Sequence, residues 1–121
     1  MRGAGGMGTA DVLRLPADGP PFTPAVARDA IAEALGAGAA VVVVPVERLD
    51  PSFLDLSTGV AGDVVQAFVN YQLRLVVLGE LSPTALASRS LSAFVREANR
   101  GRQTWFVADD LELEARLAAG T

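Results

Sequence analysis

Apolar residues along this chain switch repeatedly between a two-residue and a 3.6-residue period, and the switches outline its elements. Residues 11–16 (DVLRLP) alternate weakly and predict a first strand, followed by the turn chemistry of PADGPPF. Thr23 and Pro24 then make a helix start, an N-cap with proline in the first helical position. Ala27, Ile31, Ala34 and Leu35 keep helical spacing, and Gly36 or Gly38 ends that helix. Residues 39–44 form a continuous apolar run, β-branched from Val41 and closed by Pro45. A strand apolar on both faces belongs inside a parallel sheet. A second helix is predicted over about 58–71, with Val60, Val64, Phe68 and Tyr71 as its core stripe. LRLVVL (73–78) is the third strand, stopped by Gly79. A third helix begins near Ser88 or Ser90, sets Leu91, Phe94, Val95 and Ala98 on one face, and ends at Gly101. QTWFV (103–107) is the fourth strand, and residues 110–119 form a short acidic helix capped by Asp109. This βαβαβαβα order with short connections predicts one α/β domain on a mainly parallel four-stranded sheet.

The second helix has an unusual outer face. Where a solvated helix shows Lys, Glu and Arg, it offers Gly59, Asp63, Gln66 and Asn70. A polar, nearly uncharged face is cheap to desolvate, and charged residues are depleted at interface cores for that reason. Gln66 and Asn70 can exchange hydrogen bonds with copies of themselves or with another backbone. The expectation is a contact surface, inside a homodimer, against another protein, or beneath the loop that precedes the helix.

Composition narrows the chemistry further. The chain has 121 residues, half of them apolar and a fifth charged, with a net charge of −4. It contains no Cys and no His, and every one of its ten basic residues is Arg. A thiolate nucleophile, a disulfide framework, a His-centred relay, a His-ligated zinc site, a Schiff-base lysine and a Walker lysine are therefore all excluded. The acidic balance argues against nucleic acid as a partner. MRGAGGMGTA (1–10) is expected to be a disordered leader, with Met7 as an alternative start, and it lacks the apolar core of a secretory signal. The longest stretch without a polar side chain, residues 34–46, is too short to span a bilayer and is broken by Gly and Pro. A soluble, cytoplasmic protein with no membrane partner and no cofactor is expected.

Ligands of open parallel sheets sit beyond the carboxyl ends of the strands. Ser57, Thr58 and Gly59, with Gly62 one turn later, would put free N–H groups at a helix start, where an anion can be held. Asp55 and Asp63 would repel that anion; alternatively Ser57 or Thr58 caps the helix while Gly59 and Gly62 pack on the sheet. Glu47, Asp55, Glu80, Asp109 and Asp110 would hold Mg²⁺ if they converged, or serve as loop charges and a cap if they did not. Arg89, Arg96 and Arg100 fall on one face of the third helix, an arginine ridge that is either a solvated face or the partner of the acidic C-terminal segment, in the same chain or in another subunit.

The run Asp55-Leu56, Thr58-Gly59, Ala61-Gly62, Gln66, Phe68, Asn70-Tyr71 resembles a bacterial family known as domain of unknown function 4180 (DUF4180). The likeness continues through Gly79, Ser88, Ser90-Leu91, Phe94, Glu97, Asn99, Gly101 and Phe106, and covers about residues 52–107. The chain departs from it at Ala67, where the family has Lys, at Glu80, where it has Asp, and in a small insertion over 83–87. The resemblance implies a fold and a working surface, and brings no activity with it. A looser likeness is to STAS-type domains, where an apolar strand leads to a helix start whose Ser is a phosphorylation switch; Ser57 or Thr58 occupies the matching place. STAS-like or flavodoxin-like layering is therefore expected.

Two functional expectations follow. The first is a regulatory or protein-interaction module rather than an enzyme, switched by modification at the start of the second helix. The second is a small-ligand-binding protein or Mg²⁺-dependent enzyme whose site joins Asp55, Ser57 or Thr58, and Glu80 at the rim.

Overall fold

The computed structural model describes residues 11–119; the glycine-rich leader falls outside them. Four strands, β1 (Val12–Arg14), β2 (Val41–Pro45), β3 (Arg74–Leu78) and β4 (Thr104–Val107), form a single sheet. All three pairings are parallel, and the spatial order β1-β2-β3-β4 repeats the order in the chain. The helices are α1 (Pro24–Ala37), α2 (Pro51–Leu54), α3 (Val60–Asn70), α4 (Pro83–Leu86), α5 (Arg89–Arg100) and α6 (Asp110–Ala118). This is the expected α/β class, and the strand order is the part that periodicity left open.

That order decides how the layers are built. Each crossover advances one strand in the same direction, so crossovers of one hand put their helices on one face. Ala27 and Ile31 of α1, Val64 and Phe68 of α3, and Phe94 of α5 accordingly share a core with Val42, Val44, Leu75 and Val77. The opposite face carries Val41, Val43, Val76, Trp105 and Val107, and Leu113 of α6 packs there. The sheet has no point at which strand order reverses, so it lacks the switch-point crevice of a flavodoxin-like sheet.

Local chemistry sets the helix ends. The Thr23 hydroxyl accepts from Val26 N–H, and Gly38 closes α1 in the left-handed region at φ 74°. Leu35, expected in the core, is exposed. Residues 46–58 are more ordered than a plain loop: a 3₁₀ turn (Val46–Arg48), α2 with Phe53 buried, and a second 3₁₀ turn (Leu56–Thr58). Helix α3 therefore starts at Val60, and its stripe ends at Phe68 rather than Tyr71, which is 55% exposed. The chain reverses through Gln72 at φ 58°, which aims Leu73 back into the core and leaves Tyr71 outside.

Two close fits hold the frame. At Gly79 (φ 125°) a Cβ would lie 2.5 Å from Val46 Cγ1, so only glycine lets β3 leave beside the chain emerging from β2. Arg48, 5% exposed, donates from Nε to Pro20 O (2.7 Å) and from Nη1 to Pro16 O (2.8 Å). It fastens the loop after β1 to the end of β2. On the far side, Asn99 of α5 covers the free edge of β4: its Nδ2 donates to Phe106 O (3.2 Å) and its Oδ1 accepts from Phe106 N–H (2.7 Å). An amide side chain thus replaces one step of a missing strand, which blunts the edge against stray pairing.

Candidate functional site

Burial of Ala61, Val64 and Phe68 turns the other side of α3 outward. Asp63, Gln66 and Asn70, at i, i+3 and i+7, then line up on one surface. Gln66 Nε2 donates to Asn70 Oδ1 at 2.9 Å, an i,i+4 bond that orients both amides. With Pro24, Ala27 and Arg28 of α1 these residues line a groove of about 300 Å³. The small side chains Ala27 and Ala67 keep it open. The structure thus brings together three of the expected surface residues. Arg89, Arg96 and Arg100 do not join them: they project from α5, and Arg100 pairs with Glu97 at 3.4 Å. Within the described chain the acidic C-terminal segment forms no ion pair with them, and its Asp110 reaches Arg14 of β1 at 2.9 Å.

The segment before α3 is stitched by its own hydroxyls and carboxylates. Asp55 Oδ1 accepts from the Ser57 hydroxyl (2.7 Å) and from Ser57 N–H (3.1 Å). The Thr58 hydroxyl faces Ser52 O (2.6 Å) and Asp55 O (2.9 Å) as donor and accepts from Val60 N–H (3.2 Å). The N-cap position of α3 is Gly59, and the first helical N–H, that of Val60, is already taken by the Thr58 hydroxyl. Gly59 at φ 81° joins the 3₁₀ turn to the helix, whereas Gly62 meets nothing and does not pack on the sheet.

The hydrogen bond from the Ser57 hydroxyl, and after it the one from Ser57 N–H, hold the Asp55 carboxyl below its ordinary range; Ser52 does the same to Asp50. A lowered carboxyl pKa in the folded state contributes stability that is complete above the unfolded value and is lost as pH falls through the folded one. Protection of amides 52–60 against hydrogen exchange, corrected for the intrinsic rate at each pH, should therefore hold at pH 5 and fall below about 4, where free carboxyls protonate. Asp55→Asn should remove most of that dependence at 57–60. Protection unchanged by acid in this segment would contradict the assignment.

The carboxylate rim is not assembled. Asp55 lines a cavity of about 490 Å³ with Leu49, Leu54, Ser82, Thr84 and Ser88. Glu80 lines a different one of about 260 Å³, near Leu86, Phe106 and Glu112. Among the described residues no three acidic side chains stand close enough to hold a metal ion. Asp109 caps α6 by accepting from Glu112 N–H, and Asp110 is taken by Arg14. The expected union of Asp55, Ser57, Thr58, Gly59, Gly62 and Glu80 is thus not formed: α4, the short helix at the expected insertion, lines the Asp55 cavity with Thr84, whereas Glu80 before it lines the other cavity.

Sequence reasoning missed three features. Arg48, singled out by no motif, is a buried clamp. Trp105, 0% exposed, lies between two guanidiniums, Arg74 and Arg116, each 4.3 Å from the indole centroid. Burial, and then the charges of Arg102 and Arg116, hold the Arg74 pKa below its ordinary value. Thr104, between polar Gln103 and Trp105, is a buried polar residue on the helix-covered face. No sequence signal separates these from exposed residues of the same type, since each depends on what another segment brings alongside.

No helix of the described residues is long and apolar enough to cross a membrane. No curated protein and no solved structure shows significant similarity to the chain. The family model of the domain of unknown function DUF4180 matches residues 8–117, and the chain belongs to that family.

Proposed function

We propose that this protein is an interaction module that pairs with a second copy of itself through the α1–α3 face. The groove in that face carries the reading. Its two charged residues have opposite sign, Arg28 on α1 and Asp63 on α3, and neither forms an ion pair among the described residues. A two-fold interface presents one patch to itself, so a self-complementary patch must hold both signs. Arg28 of one copy facing Asp63 of the other meets that requirement. The amides of Gln66 and Asn70 sit between them and desolvate at far lower cost than charges.

Ser57 is exposed and next to Asp55. A phosphate there would abolish the donated hydroxyl bond and set two negative groups together at the entry to α3. This supports a modification switch at Ser57; Thr58, whose hydroxyl is engaged by the backbone of Ser52, Asp55 and Val60, is the poorer acceptor. The alternative of a metal-dependent site at the rim draws less support, given the separate cavities of Asp55 and Glu80.

Sedimentation equilibrium tests the reading. The wild type should be a dimer, and Gln66→Glu with Asn70→Glu should raise its dissociation constant by about a hundredfold, as uncompensated charges enter the interface. Arg28→Glu or Asp63→Arg alone should also dissociate it, and the two together should restore it. A monomeric wild type, or a Q66E/N70E double variant that still dimerises normally, overturns the proposal.

A further inference from the structure

Thr104 is 3% exposed, and its hydroxyl is the one buried side-chain polar atom among the described residues that finds no hydrogen-bond partner. An orphaned hydroxyl is unfavourable, and valine would fill the same space without one. The residue lines a cavity of about 290 Å³ between α3 and α5, at the amino end of β4 and away from both the α1–α3 groove and the carboxyl rim. Val65, Phe94 and Ala98 give this cavity apolar walls, and Glu97, Arg102 and Gln103 add polar groups. Glu97 is already paired with Arg100, whereas Arg102 forms no ion pair among the described residues. The backbone adds to the polar side: residues alternate along a strand, so the N–H and C=O of Thr104 point to the same free edge as those of Phe106. Asn99 covers Phe106 and leaves Thr104 open.

We propose that this cavity binds a small amphipathic carboxylate. Its anionic end is received by the Arg102 guanidinium and the Thr104 hydroxyl, two residues apart on one segment, and its apolar body lies against Val65, Phe94 and Ala98. A guanidinium and a hydroxyl together suit a carboxylate. The volume stands at the lower limit of ligand cavities and selects a short chain or a single ring. Binding here does not require dimerisation.

The test is a titration of the full chain, labelled with ¹⁵N, with sodium hexanoate and with neutral hexanamide as probes. Hexanoate should give saturable shifts at Phe94 and at residues 101–104, and hexanamide should bind more weakly. Thr104→Val and Arg102→Gln should each weaken hexanoate about tenfold, the loss of one strong polar contact. Without ligand, Thr104→Val should melt no lower than wild type, because it removes an orphaned group. Arg102→Gln, at an exposed position, keeps the test open if the core variant misfolds. The proposal fails if hexanoate gives no saturable shift at these residues, or if it binds both variants as well as wild type. It fails also if Thr104→Val lowers the melting temperature and leaves binding intact, which would assign the hydroxyl to a buried water.

Discussion

Replacing Trp105 by alanine should destabilise the protein by about 4 kcal/mol, the usual cost of truncating a buried large aromatic. The indole is fully buried on the sheet face that α6 covers, and its Nε1 donates to Gly101 O at 2.9 Å. Two guanidiniums stack on it, and both also bond the backbone, Arg74 to Arg102 O and Arg116 Nη2 to Asn99 O. Both arginines are only partly buried, and each such cation–π contact is worth about 1 kcal/mol. Removing the ring therefore takes away apolar area and also leaves Arg74 and Arg116 near each other without the group that offsets their repulsion. Since small domains hold a margin of about 5–15 kcal/mol, this change should bring the midpoint of urea unfolding close to failure. Trp105→Phe keeps a π face and should lose only about half as much. Circular dichroism follows both, because the chain has no other Trp to report by fluorescence. A loss below about 1 kcal/mol for the alanine variant would show that the stack is incidental.

Gly79→Ala should be nearly as severe, at about 3–4 kcal/mol. Two independent terms add: a side chain at φ 125° costs about 1–3 kcal/mol, and overpacking a close contact costs a similar amount. The new Cβ would lie 2.5 Å from Val46 Cγ1 and 3.1 Å from Val46 Cβ. Val46 cannot swing clear, since its Cβ is fixed to the backbone of the 3₁₀ turn. A double-mutant cycle separates the terms. Val46→Ala in the Gly79→Ala background should recover the steric part, about 1–2 kcal/mol, and leave the backbone strain. Equal stability of Gly79→Ala and wild type would mean that the two segments do not approach as described.

Much of this architecture is written locally. The Thr23-Pro24 start of α1, Gly38 at its end, Ser88 before α5 and Asp109 before α6 all act in the structure as their chemistry requires. Capping is a contact among neighbours in the chain, so residue type and spacing are enough to predict it. The same holds for the outward line of Asp63, Gln66 and Asn70, which follows from helical period once the apolar stripe is known. Tyr71 and Leu35 failed for the complementary reason. Spacing places a residue on a face, but whether that face still has something to pack against depends on where the helix ends and what lies beyond.

By itself the sequence determined the βα alternation, the parallel class, a side-chain repertoire without Cys, His or Lys, and the α3 surface with its unusual polarity. Tertiary structure alone decided the strand order, the gathering of α1, α3 and α5 on one face with α6 on the other, the separation of Asp55 from Glu80, and the burial of Arg48, Thr104 and Trp105. Periodicity and capping arise from interactions within a few residues, and those are legible along the chain. Pairing of strands and burial of polar side chains arise between segments distant in the chain, as in the 32-residue reach from Arg48 to Pro16, and only the folded chain sets them.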